Sequence, residues 1–123
     1  MDDTVRHALE NDRLIDITTT GRRSGEPRRI EIAFFYMDGR LYISGRPGRR
    51  GWYANLLANP ELTIHFKQSV QKDVPAKATP ITEPDQRRHV FQQIHERAAG
   101  RFSFEVDDWV AGSPLVEVQM DDA

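Results

Sequence analysis

The stretch from Ile15 to Gly45, "IDITTTGRRSGEPRRIEIAFFYMDGRLYISG", constrains the fold more than any other part of the chain, because it writes three strands and two reversals with no helical period. β-branched residues fill most of Ile15 to Thr20. "GRRSGEP" then supplies two glycines free to take positive φ and a proline that restarts extended backbone. In the next segment Ile30, Ile32, Phe34 and Tyr36 recur at every second residue and therefore share one face. Asp38-Gly39 is a strong hairpin signal, and "RLYISG" continues as a third strand. The expected unit is an antiparallel meander of Ile15 to Thr20, Arg28 to Met37 and Arg40 to Gly45.

The flanking segments extend this unit. Thr4 to Arg13 reads as a short helix. "WYANLLANP" reads as another, stopped by Asn59-Pro60 and carrying Trp52, Leu56 and Leu57 at about one-turn spacing. "LTIHF" and "VPAKATPI" are strands separated by the polar "KQSVQKD". Thr82 to Asp85 has capping-box spacing ahead of a helix whose Val90, Phe91, Ile94 and Ala98 form an apolar stripe. "PLVEVQM" is a closing strand. About six strands with two or three helices give a mainly β (α+β) fold. Closure into a small six-stranded antiparallel barrel is expected, because a chain of 123 residues has little else with which to cover sheet edges. No linker or repeat divides it, so residues 1–123 read as one domain.

Several kinds of chemistry drop out at once. There is no cysteine, which removes disulfides, thiolate nucleophiles and thiolate metal sites. His89 and His95 are six residues apart and do not share a helical face, and no metal-ligand spacing appears; each histidine reads as structural. "GRRSG" is not a nucleophile elbow and "GRPGRRG" is neither a P-loop nor a dinucleotide fingerprint. No side chain stands out as a catalytic acid, base or nucleophile. The apolar runs are too short to span a membrane, and the acidic start lacks a signal-peptide pattern, so the cytoplasm is the expected location.

Charge is informative through its placement. The formal net charge is −2, from 17 basic and 19 acidic side chains, which offers no general footprint for nucleic acid. Yet Arg22, Arg23, Arg28, Arg29, Arg40, Arg46, Arg49 and Arg50 crowd into one quarter of the chain. In the meander the third strand returns towards the tip of the first hairpin, so Arg46, Arg49 and Arg50 are expected to approach Arg23 and Arg28. Guanidinium forks, glycine-rich backbone and the N-terminus of the Trp52 helix together suit a phosphate. Tyr42, Ser44, Trp52 and Tyr53 lie beside that cluster, either as core or as walls for a planar ring. A redox cofactor is then the most economical source of reactivity.

The segments "TTTGRRSGEPRRIEI", "DGRLYISGRPGRRG" and "WYANLLANPELTIHF", spanning Thr18 to Phe66, resemble the deazaflavin-dependent nitroreductase family within the flavin-reductase-like split β-barrels. The resemblance implies a split barrel that binds coenzyme F420. It implies hydride transfer from the reduced coenzyme to an electron-poor acceptor such as a quinone, a nitroaromatic or an enone-like compound. Carried over by position, Arg23 and Arg28 match the residues that hold the coenzyme phosphate, with Ser24 and Gly25 completing the turn. Ser44, Gly45 and Arg46 match the strand end beside ring and phosphate, Arg50 belongs to the loop that follows, and Trp52 and Tyr53 match the aromatic pair at the helix start. Family members that reduce nitroimidazoles carry late tyrosines; here Phe102, Phe104 and Trp109 stand in their place. Alternatives are an FMN-binding split-barrel reductase, a non-catalytic module that holds a cofactor or lipid-like anion, and RNA binding by the arginine hairpin. Either a monomer or a homodimer fits.

Overall fold

A computed structural model describes residues 2–98 and 104–121. Its elements are α1 (Asp3–Asn11), β1 (Leu14–Thr20), β2 (Pro27–Met37), β3 (Arg40–Ser44), α2 (Gly51–Ala58), β4 (Glu61–Phe66), β5 (Lys72–Pro80), α3 (Pro84–Arg97), α4 (Val106–Gly112) and β6 (Leu115–Met120). The six strands form a closed antiparallel barrel in the order β1-β2-β3-β6-β5-β4, with β1 pairing β4 to complete the ring. Every strand has a neighbour on both sides over part of its length; β2 pairs β1 through Pro27–Ala33 and β3 through Phe34–Met37. The expected meander is present with its strand ends within a residue or so of those read from the sequence.

Register explains how one sequence serves two cores. Ile30, Ile32, Phe34 and Tyr36 face the barrel interior, with Ile17, Ile43, Ile64 and Val116. The opposite face of β2 sends Phe35 and Met37 outward, where they pack with Tyr42 and Leu115 beneath Val90, Phe91 and Ile94 of α3 and Trp109 of α4. A strand buried on both faces needs apolar residues at successive positions, and "AFFYM" supplies them.

Three local readings change. α4 is a fourth helix beyond the two or three expected; at seven residues it is too short to show a helical period in sequence. The cap of α3 is Glu83, whose carboxylate accepts from the Asp85 and Gln86 amides, and not Thr82. On α2, Leu57 is 55% exposed, and the third buried position beside Trp52 and Leu56 belongs to Asn55. Phe102 lies outside the described residues.

On the outer surface, charged residues tie neighbouring strands. Lys67, after β4, donates to Asp16 of β1 (2.6 Å) and to Glu31 of β2, while Arg29 of β2 donates to Asp16 at 3.0 Å. His65 bridges Thr18 and Asp73 at 2.7 Å each, crossing three strands, which is a structural use of the ring. Among the described residues no helix is long and apolar enough to cross a membrane.

The hydrogen bond from Lys67, followed by that from Arg29, holds the Asp16 carboxyl below its usual range. A lowered folded pKa contributes stability that is complete above the unfolded value, about 3.9, and is lost as pH falls through the folded one. Asp16→Asn is therefore expected to be less stable than the parent at pH 7 in urea denaturation, with the gap narrowing as pH drops below about 4. A gap of equal size at both ends of that range would show that the carboxylate charge is not its source.

Candidate functional site

The tip between β1 and β2 is closed by its own backbone. The Gly21 amide donates to the Glu26 carbonyl (2.8 Å) and the Gly25 amide to the Gly21 carbonyl (2.9 Å), with Gly25 at φ 71°. The Ser24 hydroxyl accepts from the Glu26 amide at 3.1 Å. A side chain at Gly21 would bring its Cβ to 2.5 Å from Ser24 Oγ, so anything larger than glycine there would displace the Ser24 hydroxyl from its bond with the Glu26 amide. Arg22, Arg23 and Arg28 are thereby carried exposed on a rigid loop.

Asn55 fixes that loop in space. It is buried on α2, where its Oδ1 accepts from the Arg22 amide (3.0 Å) and its Nδ2 donates to Thr19 Oγ1 (3.1 Å). Trp52 and Asn55, one turn apart, share the helix face turned to β1. The result is a cleft of about 370 Å³, with Arg22, Arg23, Ser24 and Arg28 on one side and Gly51, Trp52 and Asn55 on the other. The N-cap of α2 is Arg50, in extended conformation and without a side-chain cap bond. The first-turn amides thus keep their capacity for an external acceptor, where the helix dipole favours negative charge.

The charges here lack internal partners. Arg29, Arg40, Arg88 and Arg97 meet Asp16, Glu117, Asp107 and Asp38 respectively. None of Arg22, Arg23, Arg28, Arg46, Arg49 and Arg50 forms an ion pair among the described residues.

The remaining expected residues are distributed differently from a single ring of guanidiniums. Ser44, Gly45 and Arg46 line a second cleft of about 760 Å³, between β2 and α4, whose far wall includes Phe104 and Trp109 with ring centroids 4.4 Å apart. The Ser44 hydroxyl is buried and donates to the Pro114 carbonyl at 2.6 Å. Arg49 and Tyr53 line a third groove on the other side of the loop. Arg50 lies along that loop, donating to the Arg49 carbonyl at 2.9 Å. Gly25 borders a different concavity of about 450 Å³, beside β1, β4 and β5. Tyr42 is buried in the second core, and burial, with Glu117 nearby, pushes its phenol up. α2 accounts for part of the split: Trp52 and Asn55 face the tip, whereas Tyr53 turns with Arg49 to the third groove.

Sequence reasoning missed Arg22 as a cleft residue and missed Thr19 and Asn55 altogether. The signal was an asparagine between apolar neighbours in "WYANLLA", a polar group on the helix face that must be buried and hence partnered. β2 connects the first two clefts: Arg28 and Ile30 border the first, Ile32, Ala33 and Phe35 the second. From Arg28 to Ala33 a strand advances roughly 17 Å. Among the described residues no group of three or more His, Asp or Glu side chains is placed to hold a metal.

Comparison with known proteins adds to this geometry. Residues 2–108 match the family described as F420H(2)-dependent quinone reductase. The F420H(2)-dependent quinone reductases of Mycobacterium tuberculosis strains H37Rv and CDC 1551 are each 32% identical over 90 residues, covering 69% of this chain and 58% of each relative. The match therefore spans somewhat over half of those proteins. Among solved structures, an F420-H2 dependent reductase has a TM-score of 0.64 at 22% identity, covering 88% of this chain and 95% of that one. General Stress Protein 26 from Bacillus anthracis strain Sterne has a TM-score of 0.72 at 14% identity, covering 97% and 88%. At such identities these structures show a shared split-barrel fold.

Replacing Asn55 by alanine leaves the Arg22 amide and the Thr19 hydroxyl without their partner, at an expected cost of about 1–3 kcal/mol in urea denaturation. Amide exchange at Arg22 should accelerate in the same variant. Unchanged exchange there would show that α2 does not hold the tip.

Proposed function

The chain belongs to the F420H(2)-dependent quinone reductase family, and from that premise we propose that it is an oxidoreductase using reduced coenzyme F420 to reduce an electron-poor acceptor, foremost a quinone. The observation that carries the reading is the tip cleft: three guanidiniums without carboxylate partners face an uncapped helix N-terminus across a space of ligand size. A phosphate satisfies all of these at once.

In this reading Arg23 and Arg28 hold the coenzyme phosphate, with Arg22, the Ser24 hydroxyl and the amides of Gly51 and Trp52 around it. Trp52 belongs to the barrel core and is 8% exposed, so it acts as a fixed wall. The apolar stretch of β2 and the end of β3 at Ser44 to Arg46 lead from that anchor to the second cleft. There Phe35, Phe104 and Trp109 offer a flat apolar surface to ring systems. Reduced F420, when bound, supplies a hydride for the acceptor. The protein's contribution is placement of the two rings and removal of water between them, and no side chain has to act as nucleophile.

The protein is placed in the cytoplasm as part of the same proposal, and FMN is the competing cofactor. Titration with reduced F420 and with FMN, followed by tryptophan quenching, separates the two. Saturation by FMN alone overturns the coenzyme assignment, and tight F420 binding with no reduction of any quinone tested overturns the enzyme. Arg23→Ala and Arg28→Ala should each weaken coenzyme binding by about 1.5–3 kcal/mol, roughly 10- to 150-fold. Arg40→Ala, whose guanidinium is paired with Glu117, should leave binding as it was.

A further inference from the structure

The third groove, of about 550 Å³, lies among α2, the start of α3 and the connection from α4 to β6. Tyr53 reaches it because it sits one residue on from Trp52, about 100° around the helix from the face that meets the tip. Gly48 of the loop joins the far wall through its amide, which donates to the Gly112 carbonyl at 3.1 Å.

Three features set this groove apart. First, Ser113 is 4% exposed, and among the described residues its Oγ has no hydrogen-bond partner; a buried hydroxyl left unpaired is costly. Second, Arg87 is half-buried and spends its donors on neutral carbonyls: Nε on Val110 (2.9 Å), Nη1 on Ile81 (2.9 Å) and Nη2 on Trp109 (3.2 Å) and Ser113 (2.5 Å). Those bonds fix the guanidinium without neutralising it. Burial lowers its pKa from the usual range, and the Tyr53 oxygen nearby raises it. Third, Arg49 stands exposed at the rim, and among the described residues it has no ion pair and no carboxylate lines the groove. Arg49, Arg87, Tyr53 and Ser113 line one concavity, with the Ser113 hydroxyl itself buried, and an acceptor bearing negative charge suits all four.

We propose that this groove is a second oxyanion site, distinct from the tip cleft, which takes a phosphate or carboxylate group between Arg49 and Ser113 with Arg87 as the fixed charge behind it. The proposal is independent of the identity of the redox coenzyme. The oxyanion comes either free from solution or as an acidic group carried on the molecule bound in the neighbouring cleft. The loop separates this groove from the second cleft by a few residues, with Arg46 lining that cleft and Arg49 the groove.

The test is titration of the ¹⁵N-labelled protein, free of coenzyme, with inorganic phosphate. Saturable shifts of the Gly48, Gly112 and Ser113 amides are expected. Arg49→Ala should weaken them about tenfold, a loss typical of one charge-assisted contact. Ser113→Ala should weaken them too, and Arg28→Ala should leave them unchanged. Absence of saturation at these amides, or parental affinity in Arg49→Ala, overturns the site. So does loss of the shifts in Arg28→Ala alone, since the phosphate would then be reporting on the tip. Repeating the titration with coenzyme bound distinguishes the sources: retained shifts mean a free anion, and abolished shifts mean that an acidic group of the coenzyme already fills the groove.

Discussion

The paired hydrogen bonds of Asn55 are the contact on which the site depends. A two-stranded tip carrying three unpaired cations has no reason of its own to stay near a helix N-terminus, since both ends of that contact are positive. Neutral hydrogen bonds from a buried amide overcome this repulsion, because the buried Thr19 hydroxyl and the part-buried Arg22 amide would otherwise lose their partner. Asparagine is suited to the position because it offers an acceptor and a donor from one short side chain. A carboxylate there would add a negative charge inside the cleft and compete with the ligand.

Elsewhere on the surface the barrel pairs its charges, most visibly where Lys67 and Arg29 converge on Asp16. Arginines around the tip and along the loop are treated otherwise, and the electrostatic cost of collecting them is carried by the closed barrel beneath. Its interior of Ile17, Ile43, Ile64 and Val116 is fully buried. Rigidity follows from the same arrangement. The tip is held by Gly21, Ser24 and Glu26 within itself and by α2 from outside, so little ordering is left to accompany ligand binding.

The alternation of Ile30, Ile32, Phe34 and Tyr36 and the two turn signals were enough to read the meander, and with it the barrel, because a period of two has only one buried solution once the sheet closes. Placing the tip arginines together was equally legible, since they lie on one hairpin. Where the loop arginines would fall was not. Arg46 and Arg49 are three residues apart on irregular backbone, and no period assigns sides to such a segment. α4 was hidden by its length, and Leu57 was misplaced because apolarity was followed where the buried position had gone to an asparagine. Each of these depends on contacts between elements remote in sequence.

The loop from Gly45 to Arg50 divides the molecule's anion-seeking surface, and this division follows from the fold. Ser44 is pinned to Pro114 and Gly48 to Gly112, so both ends of the α4–β6 connection are tied to the loop that leads into α2. The end of α4, which walls the second cleft, is in this way joined to the loop and also borders the third groove through Ala111 and Gly112. Backbone hydrogen bonds join the α4–β6 connection to α4, Ser113 amide to Trp109 carbonyl, and the end of the loop to α2, Ala54 amide to Arg50 carbonyl, so the clefts on either side of the loop share its short, tethered backbone.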